Sequence, residues 1–354
     1  LKGEGYMKVV IFTQAYNAEY TISRTIDSII SQTFTNFEYY ILDNGCTDRT
    51  WDIIQKYSES DNRIIPIQVN INDPTNGGTF FYTLIRATNA DYIVWCDADD
   101  TYSHDFLENM IAFSDNNQLD IAACGYDMID GCTGKLLKHR ALESSLVLYG
   151  NAFEEKFIQY RGFTLFLWGK LYSIPFVKYI WDTSINSKIR ICDDCIYVIK
   201  LFEKAKRAGI YGKAMYQYYQ YPRSLSRTNL IEGVDSYKDL WAATESYIKS
   251  YGPVSKRNED FLYAVHLSLI DESIERVFES ELDTVQKLEL LDKILSDPVW
   301  PQTLARKASP EFCNLAARGK FVKDLKDKIL SLPMTQNFQP LIDRILSYLI
   351  IKEA

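Results

Sequence analysis

The sequence predicts an α/β fold with a mostly parallel central sheet, followed by an all-helical C-terminal region. Three observations carry that expectation. Short β-branched or apolar runs alternate with helical patterns through the first hundred residues, which is the rhythm of βαβ units. One such run, Tyr92-Ile93-Val94-Trp95, leads straight into Cys96-Asp97-Ala98-Asp99-Asp100. Beyond about Asn229, long amphipathic patterns take over, as at Val285 to Leu295 and Phe321 to Leu332. The expected domains are residues 7–230 and 231–354. Residues 1–6 read as an expression remnant ahead of Met7.

The elements follow in order. Lys8 to Thr13 is a first, central strand, and Gln14-Ala15-Tyr16-Asn17 the loop after it. Asn17 is a good N-cap for a helix over about 18–31, with Ile22, Ile26, Ile29 and Ile30 on one face. Phe37 to Leu42 is a second strand. It ends in the polar turn Asp43-Asn44-Gly45-Cys46-Thr47-Asp48, and a helix runs from Asp48 to about Ser58. A third strand spans 63–69, a loop 70–78 and a helix 79–87. The run at 92–95 is the fourth strand. Helix over 103–114, strand over 119–126 and a tight turn at Asp130-Gly131-Cys132-Thr133-Gly134, within a hairpin, come next. Residues 151–160 read as helix, 166–172 as extended, 193–208 as helix and 210–219 as a last strand.

Composition excludes several classes. The chain has 354 residues, 47% of them apolar and 24% charged, as in an ordinary globular protein. A net charge of -8 argues against a partner bound through bulk phosphate electrostatics, so no nucleic acid is expected. The 25 Tyr and 6 Trp offer flat faces suited to bases and sugars, and equally to a core. Seven scattered cysteines fit reduced thiols in a cytoplasmic protein. The Cys192/Cys195 pair lacks the second pair of ligands that zinc needs and reads as incidental. No apolar run reaches the roughly 18–20 residues of a membrane span.

A buried strand cannot end in bare carboxylates at low cost. The acids of 97–100 therefore either bind a divalent metal, through Asp97 and Asp99, or cap the next helix, with Asp100 or Ser103 as N-cap. The first strand ends in an Ala-Tyr-Asn loop and the second in an Asp-Asn-Gly turn. Parallel strands bring both to the edge that holds the acids. Such an edge has an aromatic wall (Tyr16), a hydrogen-bonding floor (Asp43, Asn44) and a cation site. A nucleoside diphosphate needs those parts.

The motifs resemble those of the inverting family-2 glycosyltransferases. Gln14-Ala15-Tyr16-Asn17 is similar to the family's Pro-x-Tyr-Asn, and Gln32-Thr33 to its Gln-Thr. Asp43-Asn44-Gly45-Cys46-Thr47-Asp48 is similar to its Asp-Asp-Gly-Ser-Thr-Asp, and Asp97-Ala98-Asp99-Asp100 to its Asp-x-Asp with a trailing Asp. Trp168-Gly169-Lys170-Leu171-Tyr172, Asp193-Asp194 and Tyr218 to Ser226 are looser matches in the same order. The resemblance covers some 220 residues and leaves the C-terminal region outside it.

It implies the GT-A fold and transfer of a sugar, of hexose type, from a nucleotide-sugar, usually UDP-linked, with inversion. Asp194 would be the general base, with Asp193 behind it. Mn²⁺ or Mg²⁺ would sit on Asp99, with Asp97 at the ribose or at a metal-bound water. Gln14, Ala15, Tyr16, Asp43, Asn44, Asn76, Asp97 and Ala98 would line the donor, Arg223 and Ser224 would clamp its phosphates, and Trp168 and Lys170 would meet the acceptor. The acceptor is expected to be a glycan or glycoconjugate of a bacterial surface polysaccharide. Two departures stand out. Asn44 replaces the family's uracil-binding Asp, and Phe80-Phe81-Tyr82 stands where the family has Ala-Arg-Asn. They leave open a catalytically silent domain that binds nucleotide-sugar. A nucleotidyltransferase would want a glycine-rich loop after the first strand, where Gln14 to Asn17 holds no glycine. The helical region is expected to pack on its own domain, to bind acceptor, to self-associate as a homo-oligomer, or to touch the inner face of the membrane.

Overall fold

The computed structural model describes residues 7–73, 75–184, 193–221, 230–307, 311–333 and 338–350. The chain divides into two units, Leu1–Ile189 with Tyr197–Ser224 and Arg190–Ile196 with Leu225–Ala354.

The first unit is built around β1 (Val9–Ala15), whose residues Val9 to Phe12 are fully buried. It pairs in parallel with β2 (Phe37–Asn44) on one side and β4 (Tyr92–Trp95) on the other, and β3 (Ile64–Val69) pairs in parallel with β2. Near-continuous apolar runs in β1 and β4 reflect burial on both faces. Helices α1 (Ile22–Ile30), α2 (Thr50–Ser60) and α3 (Asn76–Ala87) make the crossovers. Ile22, Ile26 and Ile29 of α1 are buried, each worth about 1.5–3 kcal/mol of transfer free energy.

Past β4 the sheet is mixed. It continues through β5 (Thr101–Tyr102), α4 (Phe106–Asn117), β6 (Ile121–Asp130), β7 (Leu136–Arg140) and β8 (Leu146–Tyr149). Helices α5 (Ala152–Glu155) and α6 (Phe157–Tyr160) precede β9 (Lys170–Ser173), α7 (Ile174–Ser184), α8 (Asp193–Lys204) and β10 (Arg207–Gln220). The order is β3-β2-β1-β4-β9-β6-β10-β5, with β7 on β6 and β8 on β10. β10 runs parallel to β6, whereas β9, β7, β8 and β5 all pair antiparallel. The expectation of a mostly parallel sheet therefore holds for the first four strands and for the β6–β10 pair, and fails at β5, β7, β8 and β9. The strands it lacked are short, and β7 returns from β6 through a tight turn, which permits only antiparallel pairing.

Several boundaries differ from expectation. Asn17 does not cap α1. Its backbone is left-handed (φ 49°), and its side-chain oxygen accepts from the Thr47 N–H at 2.8 Å, bracing the turn after β2 instead. The helix starts only at Ile22. α3 begins three residues early, at Asn76. Helix 151–160 is split at Lys156, and α8 ends at Lys204 to free Arg207 for β10. Residues 166–169 are a turn rather than a strand, with Phe166 and Gly169 both left-handed (φ 59° and 66°).

The second unit is helical where described: Leu230–Lys249, Lys256–Glu279, Thr284–Leu295, Trp300–Ala305, Cys313–Ala316, Arg318–Leu330 and Gln339–Ser347. Asp283 and Gln286 cap the third of these reciprocally. Buried His266 meets Thr303 Oγ1 at 2.8 Å, and Trp300 donates to the Tyr348 carbonyl at 2.9 Å. Among the described residues no helix is long and apolar enough to cross a membrane.

The turn after β2 depends on Gly45. Its φ is +72°, and a Cβ there would lie 2.6 Å from the Asn72 backbone nitrogen. Gly45→Ala is expected to cost about 2 kcal/mol or more, read as a lower urea midpoint with an unchanged slope.

Candidate active site

The ends of β1, β2 and β4 meet at one edge because the three strands are parallel. At the end of β4 the acids do not cap α4. That helix starts at Phe106, and its N-cap Asp105 makes no side-chain capping bond. Instead the Asp100 carboxylate is fully buried and accepts from the Tyr216 hydroxyl at 2.7 Å and the Tyr219 N–H at 2.8 Å. Its backbone carbonyl accepts from Thr25 Oγ1 at 2.8 Å. Burial, with Asp99 and Asp97 nearby, still pushes the Asp100 carboxyl well above the usual range. Asp97 takes the Trp95 indole N–H on Oδ1 at 2.6 Å. Burial raises the Asp99 carboxyl too, against the opposing charge of Arg24.

Arg24 ties this turn to the end of β10. Its guanidinium donates to the Asp99 carbonyl at 2.6 Å and the Tyr221 hydroxyl at 3.1 Å, and it lies 3.6 Å from the Tyr219 ring centre. Its Nε is buried without a hydrogen-bond partner. At the end of β2, Asp43 Oδ1 accepts from the Cys46 N–H at 2.8 Å, while the buried Oδ2 has no partner. Buried polar groups are nearly always satisfied. Here an acceptor and a donor are left over at the edge where the acids converge. At the end of β1, Gln14 fills a notch that only a glycine leaves, since a Cβ on Gly77 would lie 1.7 Å from Gln14 Oε1. Tyr16 is 47% exposed beside it in sequence.

Residues 10–176 match the profile of "Glycosyl transferase family 2". These residues belong to that family. The chain is 26% identical over 257 residues to "Uncharacterized glycosyltransferase EpsJ" of Bacillus subtilis (strain 168), covering 71% of this chain and 73% of that one. It is 34% identical over 118 residues to the "UDP-Glc:alpha-D-GlcNAc-diphosphoundecaprenol beta-1,3-glucosyltransferase WfaP" of Escherichia coli, covering 33% and 45%. Its fold is similar to that of S. aureus TarS 1-349 in complex with UDP-GlcNAc, with a TM-score of 0.55 and 18% identity over 97% of this chain and 88% of that one. The protein is a glycosyltransferase, and its fold is GT-A.

In the glycosyltransferase domain the expected donor residues Gln14, Ala15, Tyr16, Asp43, Asn44, Asp97, Ala98 and Asp99 all belong to the ends of β1, β2 and β4 or the turns that follow them. Asn44 is buried and fully engaged on its nitrogen. It donates to Asn72 Oδ1 at 2.9 Å and the Asp73 carbonyl at 3.0 Å. Its oxygen accepts from Asn76 Nδ2 at 2.8 Å, so Asn76 braces Asn44. Trp168 is 6% exposed. It stacks between Phe166 (4.6 Å) and Tyr216 (4.4 Å), inside the core. The buried Lys170 ammonium donates to the carbonyls of Leu165, Phe166 and Trp168 at 2.7, 2.6 and 3.2 Å. It shapes the turn before β9 and has no donor left over for an acceptor sugar. Asp194 is half-buried in the first turn of α8, in the stretch that falls to the second unit. The Asp193 side chain, Arg223 and Ser224 lie outside the described residues.

Sequence reading missed Trp95, Arg24, Asn72 and Tyr216. Only Trp95 carried a signal, two positions before Asp97 on an extended chain and so on the same face. Asn44→Asp would set a carboxylate against the Asn72 and Asp73 oxygens. A loss of about 3 kcal/mol is expected, measured by chemical denaturation without ligand.

Proposed function

We propose that this glycosyltransferase moves a hexose from UDP-sugar to a glycan or glycoconjugate acceptor, with inversion and with the help of Mn²⁺ or Mg²⁺, in the synthesis of a bacterial surface polysaccharide. The observation that carries the reading is the pairing of Asp97 and Asp99 with an unpartnered Asp43 oxygen and Arg24 nitrogen around one sheet edge. An acceptor suits a base or ribose hydrogen, and a cationic N–H suits a phosphate oxygen. The Asn44 oxygen keeps a second lone pair for the uracil N3–H, since its nitrogen already has two acceptors. The nucleotides in the names of WfaP and TarS support UDP.

Two carboxylates are the donor set a hard cation takes when phosphates and water complete its shell. Among the described residues no group of three or more His, Cys, Asp or Glu side chains could hold an ion by itself, which fits an ion shared with the donor diphosphate. When bound, the ion supplies Lewis-acid stabilisation of the leaving diphosphate. Asp194 accepts the proton of the attacking acceptor hydroxyl. The new O–C1 bond forms on the face opposite the breaking C1–O bond. The electron pair of that bond leaves with the nucleoside diphosphate.

Asp99→Ala is expected to abolish Mn²⁺-dependent UDP binding in calorimetry. Asp194→Asn should keep that binding and lose transfer; wild-type turnover in that variant would reassign the base. Absence of hydrolysis with every nucleotide-sugar, with binding retained, would favour the silent nucleotide-sugar-binding domain.

pH offers a further test. Burial favours the acid form of Asp99. A raised carboxyl adds stability below its unfolded value and loses it as pH rises through the folded value. A cation competes for that carboxylate with the proton. Mn²⁺-dependent UDP binding is therefore expected to strengthen as pH rises through the raised range of the Asp99 carboxyl, followed by calorimetry from acid to neutral pH. A flat profile would mean that Asp99 is not a ligand.

A further inference from the structure

Trp95 is the last residue of β4 and stands between the hydrophobic core and the acidic turn. Its indole Nε1 donates to Asp97 Oδ1 at 2.6 Å. A hydrogen bond to an ionised acceptor is roughly twice as strong as a neutral one. The ring is held on two sides. Phe12 meets it edge-on with centroids 5.0 Å apart, and Phe81 does so at 5.2 Å. Phe12 and Phe81 are themselves 5.9 Å apart and buried. A Cβ on Gly77 would sit 3.3 Å from the far edge of the indole. The indole therefore cannot swing without disturbing β1 and α3 together.

We propose that Trp95 is a positioning residue that sets Asp97 for the metal–nucleotide, with Phe81 as its support. The inference rests on the function proposed above. It also explains Phe81, where the resemblance places an arginine: α3 acts on the donor site through the indole. Arg86, the next arginine of α3, does not replace it, because it donates to the Tyr82 hydroxyl at 2.9 Å on the exposed side. Holding one carboxylate oxygen lowers the freedom that a metal or ribose contact would otherwise have to remove.

Trp95→Phe keeps an aromatic ring for Phe12 and Phe81 and removes the N–H. With the full chain, Mn²⁺ is titrated calorimetrically in the presence of UDP, and thermal midpoints are recorded alongside. The apparent Mn²⁺ affinity is expected to fall about tenfold, with a midpoint close to wild type. Turnover should recover at saturating Mn²⁺ while the half-saturating concentration rises. Phe81→Leu retains the N–H but loosens the ring, so a smaller loss of about threefold is expected. It serves as the test should Trp95→Phe fold poorly. Wild-type Mn²⁺ affinity in both variants would overturn the positioning role while leaving the proposed function intact. A wild-type chain that binds UDP without regard to Mn²⁺ would overturn the metal reading and this inference with it.

Discussion

The bond from the Tyr216 hydroxyl to the buried Asp100 carboxylate is the contact on which this architecture turns. A strand that runs out of the core into three acids needs somewhere to anchor them. Tyr216 and the Tyr219 N–H provide that anchor from β10. Tyr216 in turn stacks on Trp168, whose turn is folded by Lys170. The Tyr102 hydroxyl joins the same turn to β4 by donating to the Trp95 carbonyl and accepting from the Gly169 N–H. The acids are thus fastened to the mixed half of the sheet, although the strand that carries them belongs to the parallel half.

That division separates two tasks. The parallel half aligns three loop-bearing strand ends at one edge, the place where open α/β sheets bind ligands. The loops are stitched to each other before any ligand arrives. Asn17 braces the Thr47 amide, the Ala18 N–H reaches Thr50 Oγ1 at 2.7 Å, and the Glu19 N–H reaches Asp48 at 3.1 Å. The mixed half supplies aromatic mass and buried polar anchors. A site assembled this way starts close to its working geometry, which limits the ordering that binding must impose.

The parallel half was legible because its signals are local. Apolar runs and Gly45 in a polar turn are read at short range, and the acids after a buried strand narrow there to two readings, a metal site or a helix cap. Tertiary contacts were not. Lys170 looks like a ligand-facing cation in any linear motif, and only the left-handed backbone at Phe166 and Gly169 brings three carbonyls around it. Asn44 reads as a weakened base contact until Asn72, Asp73 and Asn76 fold back onto it. The extended reading of 166–169 failed because aromatic residues favour strands on average, whereas stacking of Phe166 on Trp168 rewards a turn here. Asn17 failed as a cap for the same reason: a partner thirty residues on competed successfully for its side chain.

β10 has one more consequence, for the order in which the molecule can form. It completes the sheet by pairing with β6, β5 and β8, and its partner Ile121 precedes Ala208 by most of a small domain's length. Until β10 leaves the ribosome, one side of β6 has no strand and Asp100 has neither of its β10 donors. Such long-range parallel closure is slow, and an unpaired strand edge invites association in the meantime. Synthesis of this enzyme thus contains an interval, from about residue 130 to about residue 220, in which that strand edge stays open.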